Sequence, residues 1–442
     1  MIQPVIATPR DHVGSGAGTG RKEQARSMRD SSGPATRPDS MESRASWVAA
    51  CVTLAILAIS YGSPLLIVVG LKPMTEVLGT DRSTIALAGS LVWIGTGVGG
   101  IPMGWLADRL GIRAIVALGA VMMAAGLAVS TLGSLWGLYV GHGLLIGLIG
   151  NGAIYAPLLI YVSRWFDRRR GAAIALISSG QYIAGVVWPS VFERGIAAYG
   201  WQAMMLAYAA VVLVVILPTL LFLKPAPDAP VRSAATAAAE RNRSVLGLHP
   251  NMAQALICLA GFCCCIPMAL PSSHLVAFCS DVGIAPTHGA AMLSVMLGAA
   301  FISRQFWGAL ADRIGGLRTV LVGSAFQAVA IGAFLLTQNE AGLFTIAAAF
   351  GLGFSGIIPS YSVAIRDLYP SSQASWRIPT VLFTAMSGMA MGSWLAGRIY
   401  DYFGTYAPAF ATGAAFNLLN LILIGFLVSR LPRRHAPVLS PA

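Results

Sequence analysis

Arg304 is the charged side chain hardest to place in this chain. It stands in the apolar run 287–310, nine residues before Arg313. Nine residues of helix rise ~13 Å. If that run crosses a bilayer, Arg304 lies near the middle of a ~30 Å hydrocarbon core. A charge there costs at least ~2.5 kcal/mol and should face a protein interior, and snorkelling to the interface is awkward from that depth. All 17 acidic residues fall in tails, in turns or at helix ends, as do the other lysines and arginines. No intramembrane carboxylate is therefore on hand to pair with the guanidinium. Water, helix C-terminal carbonyls or a bound anion remain. A planar fork of donors suits a carboxylate bidentately, so the chemistry expected is reversible binding of an organic anion.

Other reactive types give less. His142 and His274 sit towards helix ends, and either could titrate near physiological pH and couple protons; for His142 a structural role is expected. Cys263, Cys264 and Cys265 are consecutive. Adjacent helix positions point about 100° apart, so they cannot chelate one ion and read as small apolar fillers. The glycines of Gly141–Gly152 lack the strand-to-helix context of a phosphate loop and imply close helix packing. No metal cluster, nucleotide loop or nucleophile beside a base is present in the pattern, so neither an enzyme nor a cofactor is expected. A duplicated turn is the remaining feature. Gly104-Trp-Leu-Ala-Asp108-Arg109-Leu-Gly111 returns as Gly308-Ala-Leu-Ala-Asp312-Arg313-Ile-Gly315.

The elements that must position these residues follow from composition. Of 442 residues 56% are hydrophobic and 10% charged, far below the roughly 25% charged of soluble domains. Twelve apolar segments, each near the ~20 residues a bilayer requires, are expected at about 47–71, 85–107, 113–133, 136–162, 171–192, 201–223, 252–277, 287–310, 318–338, 342–365, 378–399 and 408–429. The fold expected is an all-α integral membrane protein of two homologous six-helix bundles, 47–223 and 251–430. A disordered tail, 1–46, precedes them, a polar linker, 224–250, joins them, and a short tail, 431–442, follows. The net charge of +12 lies in short clusters between apolar runs, which is a topology signal rather than a nucleic-acid stripe. With the N-terminus inside, inner loops and C-tail carry 17 basic residues and outer loops four. Both termini are therefore expected in the cytoplasm. At one offset of 204 residues the turn repeats, and Gly147, Leu148 and Gly152 fall on Gly351, Leu352 and Gly356. Pro64 lands within one residue of Pro267. Corresponding Pro-broken helices in two halves point to a transport site.

The turn Gly104-x-Leu106-x-Asp108-Arg109-x-Gly111-x-Arg113, its echo at Asp312-Arg313, and the 6+6 pattern resemble the major facilitator superfamily over residues 47–430. Within it, four stretches resemble the bacterial monocarboxylate transporter-like and oxalate/formate antiporter-like branch. They are Ser60-Tyr61-Gly62 with Pro64, Arg164-Trp165-Phe166-Asp167-Arg168-Arg169-Arg170-Gly171, His274-Leu275-Val276 before Asp281, and Gly397 to Tyr406. The resemblance implies alternating access. It makes Gly104, Asp108, Arg109, Arg113, Asp312 and Arg313 a conformational latch, formed in one state and released in the other, with the glycines allowing close helix approach. It makes Arg304-Gln-Phe-Trp-Gly308 similar to a helix 8 motif whose arginine binds the substrate carboxylate. It also implies that helices 1, 4, 7 and 10 line the path, so Tyr61, Asn151, Tyr155, His274, Ser355 and Tyr361 become substrate-binding candidates.

Two departures qualify this. Animal members carry an aspartate where this chain has Ala300 and a lysine where it has Leu65, so proton symport by those groups is in doubt. The lysine that oxalate antiporters carry in helix 11 has no counterpart here, and one cation favours a monoanion. The expected function is secondary transport of a small organic anion in the inner (plasma) membrane of a bacterium, by a monomer, with a coupling proton left open. Proton-driven efflux of drugs or metabolites is the alternative, weakened by the lack of an intramembrane carboxylate. A non-transporting sensor would need an output module that the tails and linker do not show.

Overall fold

The computed structural model describes residues 42–166, 169–225 and 245–431. The tail 1–41, the linker 226–244 and the tail 432–442 lie outside the described residues, and with them most of the tail and linker expectations. Among the described residues, eleven helical segments are long and apolar enough to cross a bilayer. One of them, Gly171–Phe222, is two helices in sequence, because Gly200 takes φ 80° and ψ 161°. Twelve spans result. They are α1 (Arg44–Leu78), α2 (Arg82–Leu110), α3 (Ile112–Ser130), α4 (Leu135–Ser163), α5 (171–199), α6 (201–222), α7 (Pro250–Asp281), α8 (Pro286–Ile314), α9 (Gly316–Ala333), α10 (Glu340–Leu368), α11 (Trp376–Phe403) and α12 (Ala407–Ser429).

Several spans outrun the apolar windows. α1 starts at Arg44 because Ser43 and Ser46 form a reciprocal capping box, which satisfies N–H groups that would otherwise be orphaned. The helical ladder does not stop where the apolar run stops, so Arg82 heads α2 rather than sitting in a loop.

The polarity is inverted relative to a water-soluble protein. Ile101, Val329 and Leu336 face outward with 72%, 74% and 86% exposure, while Thr53, His142, Asn417 and Asn420 are fully buried. An outward apolar face of this extent belongs against lipid.

Glycines set the closest seams. A Cβ on Gly99 of α2 would lie 1.8 Å from the Leu148 carbonyl oxygen of α4, and one on Gly147 would lie 2.9 Å from Val92 Cα. The second half repeats this between α8 and α10: Gly351 would meet the Met296 oxygen at 2.0 Å, and Gly356 the Trp307 Cβ at 2.0 Å. In the duplicated turn, Gly111 and Gly315 have φ of 84° and 86°, which lets two helices meet almost end to end without a Cβ penalty. The expectation for Gly104 fails here: a Cβ on Gly104 or Gly308 meets nothing within 4 Å. Both lie on open faces, so neither allows a close approach in this conformation.

Helix breaks open the ladder where the spans meet the molecular centre. Pro64 has no N–H to give, and α1 breaks at Tyr61 between Arg44–Ser60 and Gly62–Leu78. Carbonyls next to the break find side-chain donors instead: Trp188 Nε1 donates to Ala58 O at 3.0 Å, and Tyr208 Oη to Ile59 O at 2.6 Å. α10 breaks at Ser355-Gly356, and Trp307 Nε1 donates to Leu352 O at 2.7 Å. At the corresponding place α4 passes from a π-helix, Val140–Asn151, into the α-helix Gly152–Ser163. The proline correspondence is only half realised, because α7 runs unbroken through Pro267 and Pro271. Gln327 Nε2 donates to Cys264 O and Ser272 Oγ to Met268 O, each one residue past the carbonyl, Cys263 or Pro267, whose ladder donor the proline lacks.

The halves α1–α6 and α7–α12 join along two seams, α2 on α11 and α5 on α8. Ser90 Oγ donates to Ala390 O at 2.7 Å in the first, and Gly185 sits against Leu297 in the second. Gly99→Ala should cost about 1–3 kcal/mol by overpacking and lower the melting temperature in detergent, whereas Gly104→Ala should leave it unchanged. Equal melting of the two variants would contradict the packing assigned to α2 and α4.

Candidate functional site

Between the halves lies a cavity of about 130 Å³. Its wall is largely apolar and aromatic: Tyr61 of α1, Trp93 of α2, Tyr155 of α4, Tyr182 of α5, Met268 of α7 and Phe354 of α10 all line it. The α1 and α10 breaks put Tyr61 and Ser355 at its wall. Tyr61 and Tyr155 meet edge to face with ring centres 5.7 Å apart. Polar groups are few, among them Gln181, Ser272, Ser273, Ser355 and Ser393.

Arg304 is the cation that lines this cavity. It is 8% exposed. Its Nη2 donates to Ser178 Oγ at 2.9 Å, across the seam to α5, and its guanidinium carbon lies 5.3 Å from the Tyr182 ring centre. Its Nε has no hydrogen-bond partner among the described residues, and no described carboxylate forms an ion pair with it. A cation–π contact and one hydroxyl offset part of the burial cost, but an unfilled buried donor costs about 1–3 kcal/mol or more. The arrangement can accept an oxyanion at modest reorganisation. Ser303 and Ser355 are hydrogen-bonded to each other at 2.8 Å one residue away.

The seven substrate-site candidates divide. Arg304, Tyr61, Tyr155 and Ser355 come together on the cavity wall. Asn151, His274 and Tyr361, contrary to the expectation from their helices, do not line it. Asn151 is 2% exposed within the glycine-rich turn of α4. Tyr361 faces α12, its hydroxyl donating to Asn420 Oδ1 at 3.0 Å. His274 lies beyond the cavity end, bonded to Tyr406 and the Ser393 carbonyl. Helix membership does not separate these from the cavity residues, but His274 and Tyr361 turn to neighbours within their own half, and Asn151 is buried in α4 with its Oδ1 unpartnered among the described residues. Gln181 and Tyr182 of α5 also line the cavity, beyond the helices expected to form the path; their signal in the sequence is the polar Ser178-Ser179-Gly180-Gln181 inside an apolar run.

The duplicated turn acts within each half. Asp108 Oδ1 pairs with Arg164 Nη2 at 2.6 Å, an exposed contact between α2 and α4 of one bundle. Arg109 stacks on Trp105 at 3.7 Å, and Arg113 donates to the Leu221 and Leu223 carbonyls behind α6. In the second half the capping role falls to Asp367, whose Oδ2 accepts from Gly316 N–H at 2.9 Å at the α9 N-terminus. Asp312 and Arg318 border the same groove, and Asp312 has no ion pair among the described residues.

A charged network between the two halves lies at the opposite face, where the α1–α2 and α7–α8 turns are. Arg82, 7% exposed, forks onto both carboxylate oxygens of Asp281. Lys72 Nζ approaches Asp281 at 3.7 Å and donates to Ser280 at 2.9 Å. Asp401 accepts the backbone N–H of Arg82 and of Ser83 at 3.0 and 2.9 Å. The Arg82 guanidinium lies 3.8 Å from the Tyr400 ring centre and donates to the Tyr406 hydroxyl at 3.1 Å. Burial pushes the Tyr406 phenol well above its ordinary range, against the pull of Arg82, so it keeps its hydrogen. Charge counting had assigned Arg82 to a loop because sequence does not show that Asp281, 199 residues away, would meet it. The cavity is thus bounded by this network on one side and by the Arg304–Ser178 link on the other.

Comparison with known proteins places this geometry. The family described as Major Facilitator Superfamily matches residues 48–276 and 257–441. The uncharacterized MFS-type transporter YcxA of Bacillus subtilis (strain 168) is 24% identical over 79% of this chain and 87% of its own length. Monocarboxylate transporter 13 of Rattus norvegicus is 26% identical over 72% of this chain and 74% of its own. Among solved structures, a POT family transporter in complex with a thioalcohol-conjugated peptide shares the fold, with a TM-score of 0.69, 15% identity, and coverage of 88% of this chain and 97% of that one.

Removing the Arg82 fork leaves Asp281 with only the distant Lys72 amine. Arg82→Gln should therefore speed hydrogen exchange in the α1–α2 and α7–α8 turns by at least about tenfold, since breaking a covered pair costs ~3–5 kcal/mol. Exchange rates equal to wild type would show that the pair does not hold the halves together.

Proposed function

The chain belongs to the Major Facilitator Superfamily, and on that premise we propose that it is a secondary transporter of a small organic anion, most simply a monocarboxylate, working by alternating access. It is a multi-pass membrane transporter and not an enzyme. The observation that carries the substrate reading is Arg304: a nine-tenths buried guanidinium at the cavity wall with an unfilled Nε donor and no described carboxylate partner. A substrate carboxylate supplies the missing acceptor and the missing charge together. The apolar and aromatic remainder of the wall suits a carbon skeleton with little further charge. A relative named as a monocarboxylate transporter supports the same direction.

Alternating access gives the Arg304–Ser178 link a second part. The link joins α8 to α5 across the seam, so an anion that takes donors from Arg304 competes with a contact between the halves. Binding then bears on the conformational equilibrium through differential contacts, which is the only way a ligand can shift it. In the positive-inside orientation the Arg82 network lies on the outer face, and the conformation described is closed to the outside. The pair Asp108–Arg164, contained in one bundle, would keep that bundle rigid while it rocks. The lack of a membrane-embedded carboxylate among the described residues weighs against proton-driven export of cationic drugs. A location in the cytoplasmic membrane with both termini inside, and a monomeric state, complete the proposal.

Uptake of a panel of monocarboxylates and dicarboxylates into proteoliposomes tests it. Arg304→Gln should reduce uptake of the preferred anion at least about tenfold, equivalent to ~1.4 kcal/mol. Arg304→Lys should retain part, since it keeps the charge and loses the fork. Transport by Arg304→Gln at the wild-type rate would overturn the anion reading.

A further inference from the structure

We propose that His274 is a proton-binding site that controls the gate formed by Arg82 and Asp281: neutral, it belongs to the chain of hydrogen bonds that holds the gate shut, and protonated, it breaks that chain. The proposal rests on the alternating-access reading above but not on the identity of the substrate.

The chain of contacts runs without a gap from the cavity to the gate. Ser393 lines the cavity. Its carbonyl oxygen lies 2.8 Å from His274 Nε2. His274 Nδ1 lies 2.9 Å from the Tyr406 hydroxyl. The same hydroxyl lies 3.1 Å from Arg82 Nη1, and Arg82 forks onto Asp281. His274 itself is 2% exposed.

One assignment of donors and acceptors satisfies every group in the chain of contacts. A backbone carbonyl only accepts, so His274 Nε2 carries a hydrogen. A guanidinium only donates, so the Tyr406 oxygen accepts from Arg82. The single phenol hydrogen then points at His274 Nδ1, which must be the bare nitrogen of a neutral ring. A proton added to Nδ1 would face the phenol with a second donor. The tyrosine hydrogen would lose its acceptor, and an imidazolium would share one oxygen with a guanidinium.

Charge at the gate makes this costly. Two cations, Lys72 and Arg82, face two anions, Asp281 and Asp401, and both carboxylates are already engaged. The Tyr400 ring lies under Arg82 and brings no charge. On the α8 and α10 side, His288 and Glu340 pair with each other at 2.7 Å. A protonated His274 is thus a third cation without a partner in a covered site. Opening the gate carries Arg82, on the first half, away from His274, Tyr406 and Asp401 on the second. It removes the like charge and admits water. A proton therefore binds the open form more tightly than the closed form, and by linkage a proton from the gate side favours opening.

The test uses the full-length protein in lipid nanodiscs and hydrogen exchange of peptides covering 72–84 and 276–285. Exchange is read at about pH 7.5 and about pH 5, either side of the ~6.5 of an unperturbed imidazole. His274→Gln is the informative variant, because its amide can donate to Ser393 O and accept from Tyr406 yet cannot take a proton. Comparing variant and wild type at the same pH cancels the intrinsic pH dependence of exchange. At the higher pH the two should match. At the lower pH wild type should exchange about tenfold faster, the ratio expected if the open form holds the proton one pKa unit more tightly. A ratio that is the same at both pH values overturns the proposal. Should His274→Gln fail to fold, Tyr406→Phe removes the hydroxyl alone: the gate should exchange faster already at the higher pH, with a smaller step between the two. A step as large as in wild type overturns it as well. Neither measurement reads uptake, so this proposal and the anion reading fail separately.

Discussion

Hydrocarbon offers no hydrogen bonds, and that single constraint shapes the whole protein. Every backbone group within the bilayer must find a partner inside the chain, so the described residues cross it as helices. Where a helix must break, the freed carbonyls are answered by specific side chains: Trp188 and Tyr208 at the α1 break, Trp307 at the α10 break. The breaks are concentrated at the cavity wall, because irregular backbone at membrane depth is tolerable only where it is buried in protein or lines a polar space. The same constraint keeps carboxylates at the helix ends and leaves Arg304 as a buried cation that the described protein does not neutralise. That imbalance is the observation behind the proposed anion substrate.

Duplication supplies the frame, and departure from it supplies the individuality. The seam of α2 on α4 and the seam of α8 on α10 use glycines at corresponding positions, 204 residues apart. Arg304 corresponds to Gly100, which packs against Ala156 of α4 within its own half. A Cβ at the Gly100 position would lie a tight 3.1 Å from that neighbour, whereas the long arginine turns across the seam to α5. The two halves therefore meet asymmetrically at one depth, and Arg304 is both a wall of the cavity and a contact between the bundles. At the opposite face the halves meet through Arg82, Asp281, Asp401 and Tyr406. Covered at Arg82 but partly exposed at Lys72 and Asp281, this network is the type of contact that is stable when formed and separable when its charges regain water.

The sequence by itself determined the class, the number of spans and the two-fold repeat, because helix length and the exclusion of charge are imposed by the bilayer and can be read along one dimension. It also isolated Arg304, since a lone guanidinium in an apolar run stands out without any partner being known. It identified Tyr61, Tyr155 and Ser355 by their helices, yet the same rule selected Asn151, His274 and Tyr361, which turn elsewhere. Which face of a helix meets the cavity depends on helix rotation, and a π-turn in α4 or an unbroken α7 changes that rotation without leaving a mark in composition. Only the tertiary structure decided that Gly104 lies on an open face, that Asp367 caps α9, and that Arg82 is buried against Asp281. Each of these depends on which distant residues meet across a helix seam, and a lipid-excluded interface is set by three-dimensional packing between chain segments rather than by the order of residues within either one.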